Sequence, residues 1–104
     1  MFLQATLTFT GTTRRVSQVL ELTMMSKISA IITADISAGT WNAGFEVSND
    51  GAVWVDLDTA AAVVDTAPQL LEASDVACKW VRVVLETADA GTLASLTGAF
   101  YAKL

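Results

Sequence analysis

The chain has 104 residues, a net charge of −5, six basic residues and no histidine. This length supports a single domain, residues 1–104, with one core. The scarcity of Lys and Arg excludes the clustered basic surface that nucleic acid requires. The lack of histidine excludes Ser-His-Asp triads and histidine metal sites. We therefore expect no enzymatic activity, no cofactor and no metal.

Apolar residues make up 53% of the chain and charged residues 16%, against roughly 45 to 50% and 25% in typical soluble domains. This surplus predicts either a bland Ala/Thr/Ser surface or a face covered by another subunit, and we favour the subunit. Cys78 is the one cysteine, so no intrachain disulfide can form and stability must come from packing and assembly. No secretion signal or membrane-spanning run is apparent, which predicts a soluble protein without membrane contact.

The predicted elements in chain order begin with a strand over residues 2–9, where apolar residues alternate with Gln and Thr. Arg14 and Arg15 begin a segment whose apolar residues fit neither the two-residue period of a strand nor the 3.6-residue period of a helix. There we predict a short strand over residues 18–23, with one helical turn as the alternative. Either structure buries the leucines of this segment. A clear strand follows over residues 27–36, with alternating Ile and Ala on its inner face.

Residues 39–58 predict a β-hairpin around a Ser-Asn-Asp-Gly turn, in which Gly51 adopts a positive φ. Alternation places one apolar face on each arm. The inner face of the first arm contains Trp41, Ala43, Phe45 and Val47. The corresponding side of the second arm contains Val53, Val55 and Leu57, with Ala52, Trp54, Asp56 and Asp58 opposite.

The remaining chain predicts an apolar segment over residues 59–64, a break at Pro68, and an edge strand or helical turn over residues 69–75. Residues 79–87 predict a central strand, and residues 92–104 a last strand. The inner face of that last strand is predicted to contain Ala94, Leu96, Gly98, Phe100 and Ala102. Seven to eight short strands without a long helix predict an all-β fold, either an antiparallel β-sandwich or a jelly-roll-like barrel.

Two tryptophans, Trp54 and Trp80, lie opposite the aliphatic faces of their strands, and Asp56 and Asp58 share the face of Trp54. An aromatic ring on a polar face serves as a sugar platform or an interface anchor, and the alternative is a second packed layer. The carboxylates, with Asp50, lack the spacing of a calcium loop, so a solvated acidic edge is the better interpretation. The possible interface or ligand face therefore consists of Trp54, Asp56, Asp58 and Trp80.

The segment GTWNAGFEVSNDGAVWVDL, residues 39–57, resembles a segment of small β-sandwich structural proteins from tailed bacteriophages. The resemblance extends to residues 16–22, 80–83 and 92–103. It implies a virion protein that decorates or cements the capsid, commonly as a homotrimer on the capsid surface. The implied partner is the major capsid protein, and synthesis would occur in the host cytoplasm.

The alternative function is a carbohydrate-binding or host-adhesion module of the phage tail or head. The two functions differ in what Trp54, Asp56 and Asp58 contact. An open concave face would favour the adhesin, and burial between subunits would favour the capsid protein.

Overall fold

A computed structural model describes residues 2–57 and 60–104 and shows two β-sheets packed face to face. Their strands form because apolar and polar residues alternate along the longer segments, as a half-buried strand requires. Eleven strands are present in the described chain: β1 Phe2–Leu7, β2 Phe9–Thr10, β3 Arg14–Ser17, β4 Leu20–Glu21, β5 Lys27–Ala38, β6 Asn42–Ser48, β7 Val55–Asp56, β8 Ala61–Ala62, β9 Gln69–Ala73, β10 Trp80–Glu86 and β11 Thr92–Lys103.

The first sheet has four strands in the order β1-β11-β5-β9, and the second has the order β2-β3-β10-β6-β7. Strands β4 and β8 pair with β10 and β6, which completes a seven-stranded sheet. All named strand pairs are antiparallel. The predicted all-β antiparallel sandwich is confirmed. The strand number exceeds seven to eight because β2, β4, β7 and β8 have two residues each, too short to show a period.

The core lies between the sheets and is formed by the inward residues of the long strands. Trp41 is buried, as the hairpin pattern predicts. Phe45 of β6 meets Phe100 of β11 edge to face, with ring centroids 6.4 Å apart and planes at 80°. Since β6 and β11 belong to different sheets, this aromatic pair joins the two layers. The burial of Leu20 and Leu22 confirms that the segment after Arg15 buries its leucines.

The predicted first strand is divided between the two sheets, because β1 pairs in the four-stranded sheet and β2 in the seven-stranded sheet. Gln18 holds the crossing point: its side-chain oxygen accepts a hydrogen bond from Thr8 N at 2.9 Å, and its amide donates to Thr6 O at 2.7 Å. In the following segment the structure has β3 and β4, so the helical turn is wrong there. Residues 69–75 contain the edge strand β9.

The hairpin prediction is correct in pairing and wrong in loop length. β6 pairs with β7 through Glu46 and Asp56 and through Val47 and Val55, but residues 49–54 lie outside both strands. Ser48 and Asp50 hold this loop by accepting backbone hydrogen bonds: Ser48 Oγ from Gly51 N, and Asp50 Oδ1 from Ala52 N and Val53 N. The φ of Gly51 is 77°, as predicted.

Two predicted inner positions of the hairpin are exposed. Val53 and Val55 were assigned to the apolar side of the second arm, yet both are solvent-exposed. They lie where the short β7 ends the sheet, so no strand of the opposite sheet covers them. Leu57, the third residue of that side, is partly buried and packs against the core.

A β-bulge changes the facing of β11. The register with β5 shifts between Thr92 and Leu93 and again between Leu93 and Ser95. As a result Ala94 is exposed, contrary to the alternation pattern, and Leu93 packs against the core instead. Beyond the bulge, Phe100 and Ala102 face inward as predicted. Within the described ranges, no helix is long and apolar enough to cross a bilayer.

Candidate functional site

Four charged side chains form a connected network on the outer face of the seven-stranded sheet, which we name the outer ion-pair network: Arg14 of β3, Glu46 of β6, and Arg82 and Glu86 of β10. Glu46 is the centre of the network and is only 7% exposed. Its Oε1 accepts hydrogen bonds from Arg82 at 2.8 to 2.9 Å, and its Oε2 binds Arg14 Nη2. Arg14 Nε also donates to Glu86 Oε1 at 2.7 Å.

Strand register explains how these residues meet. Arg82 lies directly opposite Glu46, and Glu86 lies directly opposite Arg14. The row between these two pairs contains Val84 and Gly44. Because Gly44 has no side chain, the long Arg14 side chain can cross this row to reach Glu46. Alternation on β6 and β10 then directs Glu46, Arg82 and Glu86 outward while their neighbours fill the core, and Arg14 of β3 shares this outer face through its pairing with Glu86.

Burial of the Glu46 carboxyl favours its neutral form, but the hydrogen bonds and positive charges of Arg14 and Arg82 outweigh burial, so its pKa is lowered. For Arg14, burial opposes the charged form, and the two carboxylates more than compensate, so its pKa is raised. Both groups stay charged at neutral pH. The network therefore joins three strands through charge-assisted hydrogen bonds.

Trp54 extends the network at one end. The guanidinium carbon of Arg82 lies 4.1 Å from the centre of the Trp54 ring, a cation–π contact. One ring face is therefore covered by a side chain of the same molecule, and Trp54 is half-buried. The structure therefore packs one face of the Trp54 ring against Arg82 and leaves the side chain partly exposed.

Trp80 occupies a similar position under the hairpin loop. It is half-buried, and the Lys79 ammonium lies 4.5 Å from the centre of its ring. The Gly51 backbone approaches from the loop, since a Cβ built there would lie 3.8 Å from the ring. Trp80 therefore supports the loop that precedes Trp54.

Asp56 is exposed and lines a groove of about 370 Å³ on the same outer face. Gly44 and Val84 line this groove with Asn42, Ala60 and Glu86, among others. Asp58 lies outside the described residues. The structure thus places Asp56 directly opposite Glu46 and the Trp54 ring against Arg82, with Trp80 two residues from Arg82 along β10. The groove lining mixes polar and apolar residues and includes the carboxylates of Asp56 and Glu86, of which Glu86 is paired with Arg14.

Sequence reasoning missed the outer ion-pair network. Its members are distant along the chain: Arg14 and Glu86 are 72 positions apart, and Arg82 and Glu46 are 36 apart. Pairing at such separations depends on strand order, which alternation does not reveal. The available signal was that Glu46, Arg82 and Glu86 all alternate with the inward apolar residues of their predicted strands.

The architecture defines an antiparallel β-sandwich of two sheets. The crystal structure of the SPBc2 prophage-derived protein YomS has a similar fold, with a TM-score of 0.63 over 98% of this chain and 94% of that chain, at 8% sequence identity. At this identity the likeness shows the fold alone. A structure of infectious bursal disease virus Gt strain aligns with a TM-score of 0.40 over 99% of this chain and 29% of that chain, at 5% identity, which is too low to support an argument. No protein-family model and no curated protein matches the chain.

Proposed function

We propose that this chain is a structural protein of a tailed-bacteriophage virion that binds the outside of the assembled capsid shell and stabilises it. The observation that carries the proposal is the fold shared with a prophage-derived protein along almost the full length of both chains. The resemblance of residues 39–57 to phage structural proteins points in the same direction. The partner is the major capsid protein, and the protein acts on the capsid surface after synthesis in the host cytoplasm.

The seven-stranded sheet offers the contact surface for this role. The charges of Arg14, Glu46, Arg82 and Glu86 are already matched within the network. Asp56 adds an exposed carboxylate at the groove beside them. A basic side chain of a capsid loop fits this groove in charge, and contact with it requires no rearrangement of the network.

One 104-residue domain offers a footprint at or below roughly 800 Å², the area that each partner contributes to a standard interface. A single contact should therefore be weak. Several linked copies convert later contacts into intramolecular ones, which raises avidity by roughly 10² to 10⁴. The phage resemblance implies three copies. Binding only to the assembled shell then stabilises that shell by mass action.

The adhesin alternative receives less support from Trp54. A sugar platform needs an accessible aromatic face, and Arg82 covers one face of this ring at 4.1 Å. The capsid proposal has no such requirement, because it uses the groove rather than the ring.

The experiment adds purified protein to capsids stripped of it and measures occupancy and the temperature of genome release. We expect saturable binding and a higher release temperature. Asp56→Asn should weaken binding, whereas the matched variant Asp75→Asn, which removes one charge from an exposed site outside the groove, should bind normally. Failure to bind capsids, combined with binding to a host polysaccharide, would replace the capsid proposal with the adhesin.

A further inference from the structure

The outer face of the four-stranded sheet carries large apolar side chains that the fold leaves in solvent. Phe2, Ile31, Leu70 and Tyr101 are 63, 52, 55 and 37% exposed. They belong to four adjacent strands, and Phe2 stacks on Tyr101 with ring centroids 5.9 Å apart. Ile31 lies beside Ala99 on one side and Leu70 on the other. An apolar strip of this kind on a small domain marks an interaction surface.

Strand register arranges this face as rows of side chains across the sheet. The row at one end contains Phe2, Lys103 and Lys27, and the row near the opposite end contains Ser95 and Asp35. The central row is Thr6, Ala99, Ile31 and Leu70. The face therefore has Lys27 and Lys103 at one end, with Glu72 one row inside them, Asp35 near the other end, and an uncharged row halfway between.

We propose that this face binds the same face of a second copy of the chain, with a two-fold axis that crosses the strands at Ile31. Ile31 is four residues from Lys27 and four from Asp35 along β5. The axis therefore places Lys27 of each copy opposite Asp35 of the other, about 13 Å from the axis at 3.3 Å per residue. Ile31, Ala99 and Leu70 then face their own counterparts.

Charge selects this axis over the other two-fold arrangement. A two-fold axis parallel to the strands would keep each row opposite itself and exchange β5 with β11. Lys27 would then face Lys103 of the second copy, because these residues share a row. Like charges opposed in an interface are strongly unfavourable. The axis across the strands instead places Lys103 near Ser95 and Asp35.

Packing geometry and area are compatible with a weak dimer. Stacked sheets cross at about 30°, which displaces Lys27 from Asp35 by several ångströms, a distance that a flexible lysine side chain spans. Under this axis the two copies overlap over five rows of β5 and β11, but β1 and β9 overlap their counterparts only at the central row. This overlap covers on the order of 400 Å² per copy. Two such faces bury about 800 Å², somewhat below the roughly 1,000 Å² of a stable specific interface, so we expect a weak dimer with a dissociation constant in the micromolar range.

This inference goes beyond the capsid proposal and does not depend on it. The seven-stranded sheets of the dimer face away from each other, so the outer ion-pair network and the Asp56 groove stay accessible to a partner. The stoichiometry is two, which differs from the trimer that the phage resemblance implies.

Sedimentation velocity from about 1 to 200 μM tests the proposal with charge-swap variants, each checked for folding by circular dichroism. We expect the wild type to approach twice the 11.0 kDa chain mass. Lys27→Asp and Asp35→Lys alone should each weaken association at least about tenfold, since each opposes like charges twice per dimer. The double variant should restore association, because it exchanges the two charges and recreates both pairs.

Ile31→Lys is the second variant, and Val53→Lys is its matched control, since both replace an exposed aliphatic residue with a lysine. Ile31→Lys should abolish the dimer, and Val53→Lys should leave it intact. A monomer at the highest concentration, a trimer, or a charge swap without rescue would overturn the proposal. A monomer that still binds capsids would refute the dimer and support the capsid function. A dimer that binds no capsid would support the dimer and refute the capsid function.

Discussion

Glu46 determines how the outer face of the seven-stranded sheet is held together. Its carboxylate receives hydrogen bonds from both Arg14 and Arg82 while almost excluded from solvent. Removal of either arginine leaves this buried carboxylate with fewer partners, which costs more than the loss of a surface ion pair. Glu46 therefore couples three strands through one buried group.

We predict that Glu46→Gln lowers the free energy of unfolding by about 2 kcal/mol, because two guanidinium groups lose their shared carboxylate. Glu21→Gln is the matched control, since Glu21 is exposed on the same face and lies outside the network. It should change stability by less than about 0.5 kcal/mol. Urea unfolding measures both values, and equal effects would show that the network contributes nothing specific.

We predict that replacing glycine by alanine lowers stability by different amounts at Gly51 and Gly91. Gly51→Ala should cost about 1 kcal/mol, because its φ of 77° is unfavourable for a residue with a Cβ, although space is available beside Trp80. Gly91→Ala should cost more, roughly 3 kcal/mol, since its Cβ would lie 2.6 Å from Ala38 O and 2.8 Å from Trp41 Nε1. Thermal unfolding of the two variants should rank them in that order. The reverse order would contradict the packing around Gly91.

At the scale of elements, the bulge in β11 predicts that substitution of Leu93 costs more stability than substitution of Ala94. Simple alternation predicts the opposite order. Leu93 packs against the core and Ala94 is exposed. Leu93→Ser should therefore destabilise by about 2 kcal/mol through lost burial, and Ala94→Ser by less than about 0.5 kcal/mol. Chemical unfolding distinguishes the two variants. A larger effect at Ala94 would mean that the strand keeps one register throughout.

Long strands were predictable because their alternation is sustained. Residues 27–36 and 79–87 each contain several inward and outward positions in sequence, so β5 and β10 were identified with nearly correct ends. Trp41 and Phe45 were assigned to the core for the same reason. Two-residue strands, by contrast, exist only because a neighbouring strand pairs with them. The predicted strand over residues 18–23 and the predicted hairpin include β4 and β7 without their ends, and nothing within β2 or β8 signals a separate strand.

The sequence predicts which face of the sheet carries the candidate site residues, but it does not predict which side chains they contact. Alternation placed Trp54 and Trp80 on the outer face of their sheet, where the structure has them. That Arg82 covers Trp54 depends on the loop of residues 49–54, which returns the chain over β10. A tight turn at residues 48–51 would have given a different register, so the cation–π contact could not be inferred from the sequence.

At the scale of the whole molecule, carboxylates with lowered pKa values predict the response to acid. Glu46 has a lowered pKa relative to its ordinary 4.5. Asp50 has a lowered pKa because the backbone N–H groups of Val53 and Ala52 donate to it. The pKa of Asp89 is also lowered, chiefly by the Thr87 hydroxyl and the Thr40 backbone. A group with a depressed folded pKa stabilises the fold above its unfolded pKa, and this stabilisation is lost as pH falls through the folded value.

We therefore predict that the free energy of unfolding is constant near neutral pH and falls steadily below about pH 4.5. Glu46→Gln should show a shallower decline than the wild type, because it has already lost one of the contributing groups. Urea unfolding between about pH 3 and 7 measures the two curves. Parallel curves would mean that Glu46 has the same pKa in the folded and unfolded chains.

The position of β11 affects the order in which the two sheets can form during synthesis. It lies between β1 and β5, and it is the last strand along the chain. As the chain leaves the ribosome, β1 has no neighbour in its sheet until β11 has been synthesised. The segments of the seven-stranded sheet from β2 to β10 can pair before that moment. Assembly should therefore start with the larger sheet and the β5–β9 pair. Part of the inner face of the larger sheet then stays exposed until β11 arrives, the stage at which chaperone binding or aggregation is favoured.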